Sequence, residues 1–207
     1  MDGKKMKKIP YGKCNFEDIR LQNMYYVDKS RYIREVEDSS DFFFFIRPRR
    51  FGKSLFLSML ENYYDMNRRE KFDALFGDLW IGQHPTEQRN SYAVMKLNFS
   101  CITAGLDRCE ENFNTYCREV FIKFCDSYKN VLPEETSKLM REDNSATENF
   151  IRLVNICSSK DIQLYLLIDE YDNFTNTVLS DVASLNKYES ITHRDGDTLQ
   201  WLTHNNL

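Results

Sequence analysis

The chain has 207 residues, 42% hydrophobic, 14% aromatic and 29% charged, enough to bury one ordinary globular core. Its 28 basic against 32 acidic side chains give a net charge of −4, which excludes a global positive field for nucleic acid or an anionic membrane and leaves only local contacts. The longest apolar runs, Phe42 to Ile46 and Leu164 to Ile168, fall far short of the roughly 20 residues of a spanning helix, so transmembrane helices are excluded.

Residues 1–8 form a basic leader with Lys4, Lys5, Lys7 and Lys8. Pro10, Tyr11 and Gly12 then stand where a secretory signal would place its apolar stretch, so a cytoplasmic protein is expected. Residues 9–207 read as one domain, because the seven Gly and four Pro are scattered and no repeat or linker divides the chain. Ser30 to Glu37 predicts a short helix with Ile33 and Val36 inward. Phe42 to Ile46, apolar on both faces, predicts a central parallel strand.

Leu55, Phe56, Met59, Leu60, Tyr63 and Tyr64 repeat at i, i+1, i+4, i+5 and predict one buried helical stripe. Val94 to Phe99 reads as a second strand. Phe113, Tyr116, Cys117, Val120, Phe121, Phe124, Cys125 and Tyr128 trace a long amphipathic helix. Ser145 and Glu148 have the spacing of a capping box, after which Phe150, Ile151, Val154 and Cys157 continue a helix. Leu164 to Ile168 is a third apolar strand that runs into Asp169, Glu170, Tyr171 and Asp172. Strand, helix, strand, helices, strand is the order of an α/β domain with a parallel sheet.

Cys101, Cys109, Cys117 and Cys125 recur at an interval of eight, but zinc ligands usually pair two to four residues apart and no such Cys pair exists. Reduced, buried thiols are expected instead. His84, His193 and His204 lie far apart without a ligand pattern and receive no role.

The chemistry concentrates in two places. A phosphate-binding P-loop reads G-x-x-x-x-G-K-[S/T] between a strand and a helix: backbone amides wrap the phosphates, the Lys reaches the outer ones, and the hydroxyl binds Mg²⁺. In Arg47-Pro48-Arg49-Arg50-Phe51-Gly52-Lys53-Ser54 the second half matches, and Arg47 replaces the first Gly. An apolar run precedes this segment and an amphipathic helix follows it. The second part of such a site is an acidic residue ending a buried strand, followed in many ATPases by a Glu that activates water; Asp169 and Glu170 supply both. Two plainer readings stand beside these: a solvated basic loop at Arg47, Arg49, Arg50 and Lys53, and a solvated turn at Asp169, Glu170 and Asp172.

Ile9-Pro10-Tyr11-Gly12, Phe16, Tyr26-Val27-Asp28-Lys29-Ser30, Arg47-Pro48-Arg49-Arg50-Phe51-Gly52-Lys53-Ser54-Leu55 and Leu167-Ile168-Asp169-Glu170-Tyr171-Asp172 together resemble the AAA-ATPase-like family of bacterial proteins. Members carry Arg where other ATPases have the first Gly of the P-loop, so Arg47 is what the resemblance leads one to expect. It spans residues 9 to 196. It implies a P-loop NTPase-like parallel sheet flanked by helices, binding ATP through residues 47–54, with Lys53 on the outer phosphates, Ser54 and Asp169 on Mg²⁺, and Glu170 as the water-polarising catalytic base. The Tyr26 to Ser30 segment belongs to the match without a chemical role of its own, beyond bordering the nucleotide or capping the next helix.

Relatives run on past the acidic motif into a sensor strand, an arginine-bearing helical part and a PD-(D/E)XK nuclease-like domain. Here 35 residues follow Asp172, of which Thr192 to Gly196 still fit the family pattern and Asp197 to Leu207 do not. The expectation is therefore a domain truncated after the acidic (Walker B) strand, with exposed apolar surface and a tendency to aggregate. Three functions follow: an ATP-binding protein whose intact relatives hydrolyse ATP, a non-hydrolysing interaction module with a protein partner or a second copy, and a nucleic-acid-associated defence module using the 47–53 cluster and the leader.

Overall fold

The computed structural model describes residues 6–39, 42–46, 48, 50–102, 108–142 and 144–171. The chain divides into two compact units, one up to Val94 and one from Met95 onward.

The first unit is built on helices. Asn15 starts α1 (Phe16–Leu21) by accepting a hydrogen bond from the Asp18 amide at 3.1 Å, and Glu17 and Asp18 place negative charge at its positive end. Next come α2 (Tyr32–Glu37), α3 (Lys53–Tyr64), a 3₁₀ turn over Met66–Lys71, α4 (Phe72–Phe76) and α5 (Trp80–Gln83). The predicted stripe of α3 is the core: Phe56, Met59, Leu60, Tyr63 and Tyr64 are buried. Burying each such side chain stabilises the fold by roughly 1.5–3 kcal/mol.

Helices α1 and α4 close over that stripe. The rings of Phe16 and Phe76 lie 4.9 Å apart, and Tyr63 meets Phe76 edge-on at 5.5 Å. The Phe16 amide donates to the Ser58 hydroxyl at 3.0 Å, so a polar atom on the buried face of α3 anchors the start of α1. Asp65 ends α3 in extended backbone, and its carboxylate accepts from the Asn67 amide at 2.8 Å, opening the 3₁₀ turn.

The second unit contains β1 (Ala93–Asn98), where the chain leaves the first unit, and β2 (Leu164–Asp169), paired with it in a two-stranded parallel sheet. Parallel pairing needs a long crossover, supplied here by α6 (Cys109–Ser127), α7 (Thr136–Leu139) and α8 (Ala146–Ser159). Leu97, Phe99 and Ile102 form a buried cluster against which Phe113, Tyr116, Val120, Leu166 and Ile168 pack. Further along α6, Cys117, Phe121, Phe124 and Cys125 are buried, and Phe121 meets Phe150 of α8 at 5.9 Å. The capping box at Ser145 and Glu148 is formed, Glu148 accepting from the Ser145 amide at 3.0 Å and Ser145 Oγ from the Glu148 amide at 3.2 Å.

Two expectations are corrected, the strand at Phe42–Ile46 and the burial of Cys14. Phe42–Ile46 is not a strand of the described sheet: Phe44 is 64% and Ile46 78% exposed, and the run is held by ring stacking, Phe45 on Phe56 of α3 at 4.9 Å. A central parallel strand must be covered on both faces, and these rings are not. Phe150, Ile151, Val154 and Cys157 lie on α8 as expected, with Phe150, Leu153 and Cys157 buried at i, i+3, i+7. Cys14 is exposed, while Cys117, Cys125 and Cys157 are buried free thiols as expected; burial pushes Cys117 and Cys125 up to about 12, which keeps them protonated and unreactive. The segments from Asp172 to Leu207, and most of the leader, lie outside the described residues. Among the described residues no helix is long and apolar enough to cross a membrane.

Candidate functional site: an uncapped helix start and a buried acidic strand end

In the first unit, the Phe51 amide donates to the Pro48 carbonyl at 3.4 Å and closes a tight turn into α3. Arg50 (φ 66°) and Gly52 (φ 79°) both adopt the left-handed conformation. A Cβ on Gly52 would meet nothing within 4 Å, so glycine is favoured there by backbone conformation and not by crowding. Gly52 is the N-cap of α3, and its carbonyl accepts from the Phe56 amide at 2.9 Å.

With no side chain, this cap offers the first-turn amides of α3 no side-chain acceptor, none reaches them from elsewhere among the described residues, and that turn contains no acidic residue. Lys53 and Ser54, half-buried, are the first two helical residues; Pro48, Arg50 and Phe51 are exposed, and Arg47 and Arg49 lie outside the described residues. Free amides, the positive end of a 12-residue helix dipole, an ammonium and a guanidinium form a setting suited to an anion such as phosphate.

In the second unit, β2 ends at Asp169, whose side chain is buried. Its Oδ1 accepts from the Glu170 amide at 3.1 Å, and among the described residues no cation is paired with it. Glu170 is half-buried and also left-handed (φ 54°). A non-glycine residue in that region stores of order 1–3 kcal/mol and occurs disproportionately at functional positions. Asp172 lies outside the described residues. Among the described residues no cluster of three or more His, Cys, Asp or Glu forms a ready-made metal cage. A lone buried carboxylate fits Mg²⁺, which is commonly held by one or two carboxylates together with phosphate oxygens and water.

The segment Tyr26 to Ser30 has a structural task that sequence reading missed. Asp28 Oδ1 accepts from the Ser30 amide at 2.8 Å, while Oδ2 accepts from the Trp80 amide at 2.8 Å. Ser30 Oγ, fully buried, accepts from the Ile81 amide at 3.1 Å. Trp80 and Ile81 open α5, whose own N-cap, Leu79, offers no side-chain acceptor. Asp28 and Ser30 therefore cap a helix fifty residues away. Burial works to raise the Asp28 carboxyl, but the hydrogen bonds from Ser30 and Trp80 outweigh it and hold the group below its ordinary range. The signal in the sequence was the Asp-x-Ser spacing of an Asx turn; its distant partner had none. Tyr26 completes the segment by donating its hydroxyl to Met59 Sδ at 3.2 Å, and burial pushes it up to about 12.

A family model described as predicted AAA-ATPase matches residues 10–200. An uncharacterized protein in the vnfD 5′ region of Azotobacter chroococcum mcd 1 is 37% identical over 87 residues, which cover 38% of this chain and 16% of that protein. The chain thus spans a small fraction of the length of the curated relative it matches. No solved structure matches it. The family match covers both the turn before α3 and the end of β2, and the chain belongs to the predicted AAA-ATPase family.

Proposed function

We propose that this protein binds ATP with Mg²⁺ at an Arg-first P-loop, residues 47–54, and that an intact site hydrolyses it. The observation that carries this reading is the left-handed Gly52 capping α3 without a side chain, with Lys53 and Ser54 as its first helical residues, in a member of the predicted AAA-ATPase family.

In this reading the first-turn amides of α3 and the side chains of Arg47, Arg49 and Arg50 bind phosphate oxygens. Lys53 neutralises the outer phosphates, and Ser54 contributes its hydroxyl to the metal. Asp169 holds a share of the metal's coordination sphere, and Glu170 accepts a proton from the attacking water. When bound, Mg²⁺ supplies charge neutralisation on the transferred phosphoryl group. The buried free thiols accord with a reducing cytoplasm.

The test is Mg²⁺-dependent binding of a fluorescent ATP analogue by the wild-type chain beside Lys53→Ala. A tenfold or greater loss, about 1.4 kcal/mol or more, supports the P-loop assignment, and equal binding by the two overturns it. Turnover is then read with Glu170→Gln, which should keep the analogue and stop phosphate release.

A further inference from the structure

Charge is unevenly spread along the chain. Residues 4–13 contain five Lys and no acid, and residues 2–29 contain seven Lys and Arg against four Asp and Glu, within a total of −4. Lys4 and Lys5 lie outside the described residues; Lys7, Lys8, Lys13 and Lys29 are exposed. Among the described residues none of these four is paired with a carboxylate, and Lys13 Nζ donates instead to the neutral Gln22 Oε1 at 2.9 Å. The acids close in sequence are largely occupied: Glu17 by Arg68 and Lys71, Asp28 by the amides of Ser30 and Trp80, while Asp18 stays exposed in the first turn of α1.

The same stretch holds apolar side chains in water. Met6 is 93%, Ile9 79% and Tyr11 97% exposed, and Leu21, Tyr25 and Val27 are each more than half exposed. Backbone bonds gather them at one rim of α1: the Tyr25 amide donates to the Lys8 carbonyl at 2.8 Å, and the Met24 amide donates to the Ile19 carbonyl at 2.9 Å. Phe16 and Ile19 of α1 are fully buried, so the rim is mounted on the core of its unit. Single exposed apolar residues are ordinary, but six of them within residues 6–27, interleaved with exposed lysines, form an interaction surface.

We propose that this rim binds the surface of an anionic lipid membrane, lying on it without crossing it. The lysines reach the charged headgroups on long stems whose carbons rest on apolar ground. Tyr11 and Tyr25 suit the headgroup level, where a ring meets acyl chains and a phenol meets water. Met6, Ile9, Leu21 and Val27 bury their surface at the acyl boundary beneath them. Attachment to a membrane becomes stable when a polybasic segment and an apolar anchor act together, and both stand here between residues 4 and 27. A nucleic acid would use the lysines and leave Met6, Ile9, Leu21 and Val27 in water, since stacking on a base needs a flat face. A protein partner would have to cover a run of lysines, a residue type depleted in protein interfaces. The rest of the chain carries the excess of negative charge, so the attraction is confined to this rim.

The experiment is co-flotation of the full chain with phosphatidylcholine vesicles containing about 30% phosphatidylserine, beside vesicles of phosphatidylcholine alone. The anionic vesicles should bind at least tenfold more tightly, and raising salt from about 0.1 M to about 0.5 M should weaken that binding about tenfold. Lys7→Gln combined with Lys8→Gln should weaken it about twentyfold, at about fivefold for each cation near the surface. Ile9→Ser combined with Tyr11→Ser, which leaves every charge in place, should weaken it about tenfold. All four side chains are exposed, so both double variants should keep the wild-type urea midpoint. Three results would overturn the proposal: no flotation of folded wild-type protein with anionic vesicles at the lower salt, equal binding to the two kinds of vesicle, or undiminished binding after Ile9→Ser and Tyr11→Ser. The last would mark a plain polyanion contact that a nucleic acid satisfies equally.

Discussion

Ser30→Ala isolates the clamp on α5. The hydroxyl and the Ile81 amide it accepts are both in fully buried residues, so its removal deletes one hydrogen bond and strands a donor away from water. A lost net bond is worth about 1 kcal/mol, a stranded buried donor costs about 1–3 kcal/mol, and helix-cap deletions span about 0.5–2 kcal/mol; together these place the loss near 2 kcal/mol. Urea unfolding followed by circular dichroism measures it, with an unchanged m-value confirming that the unfolded state is unaltered. A loss below about 0.5 kcal/mol would mean that water reaches the Ile81 amide, and the reasoning would fail. Asp28→Asn tests the partner arm: an amide offers one acceptor oxygen where the carboxylate offers two, so about 1 kcal/mol is lost at neutral pH. The Asp28 carboxyl is held below its ordinary 3.8 in the folded chain. Its contribution is therefore complete above that value and disappears as pH falls through the folded one, so wild type and Asp28→Asn should converge in acid.

Glu37 has the opposite sign: burial raises its carboxyl above the ordinary 4.5, against hydrogen bonds from Thr86 and Tyr64. The stability it contributes is present below 4.5 and lost as pH rises through the folded value, so Glu37→Gln should gain stability relative to wild type between pH 4.5 and neutrality in a pH series of denaturation midpoints. Gly52→Ala, at φ 79° with open space around the missing Cβ, should cost about 1 kcal/mol from conformation alone; a near-zero cost in urea titration would contradict the left-handed assignment. Ser145→Ala breaks the capping box of α8 and should lose about 1 kcal/mol, with amide exchange accelerated in the first turn of that helix by NMR. Ser54→Asp adds an acid to the unclaimed start of α3, where it should stabilise the helix by about 0.3–1 kcal/mol and abolish binding of the ATP analogue; unchanged ATP affinity would count against the anion site.

Local signals carried most of what the sequence revealed. The i, i+1, i+4, i+5 stripe of α3, the capping box of α8 and the acidic end of β2 all depend on neighbours within a few residues, and each appears at the predicted position. The failures share one cause. Phe42–Ile46 has the composition of a buried strand, but whether a run pairs or stacks depends on which surface reaches it, and Phe56 of α3 does. Asp28 and Ser30 were visible as turn formers, yet their partners, the amides of Trp80 and Ile81, are backbone groups that any sequence would supply.

Helix starts are treated differently along this chain. The three described helices longer than six residues differ: α8 is capped by Ser145 and has Glu148 in its first turn, α6 has Glu110 and Glu111 there, and α3 has neither a side-chain cap nor an acid. Short α5, which lacks a cap of its own, receives Asp28 and Ser30 from elsewhere. A chain that satisfies even a four-residue helix by a clamp from fifty residues away has the means to satisfy α3. Leaving α3 open costs stability that Ser54→Asp would recover, a cost that accords with the anion site proposed there. Arg50 beside Gly52 and Glu170 after the buried Asp169 are left-handed, as are Asn23, Asn90 and Asp161 elsewhere in the chain. Packing accounts for the buried face of α3, and the proposed phosphate contacts would account for its open start.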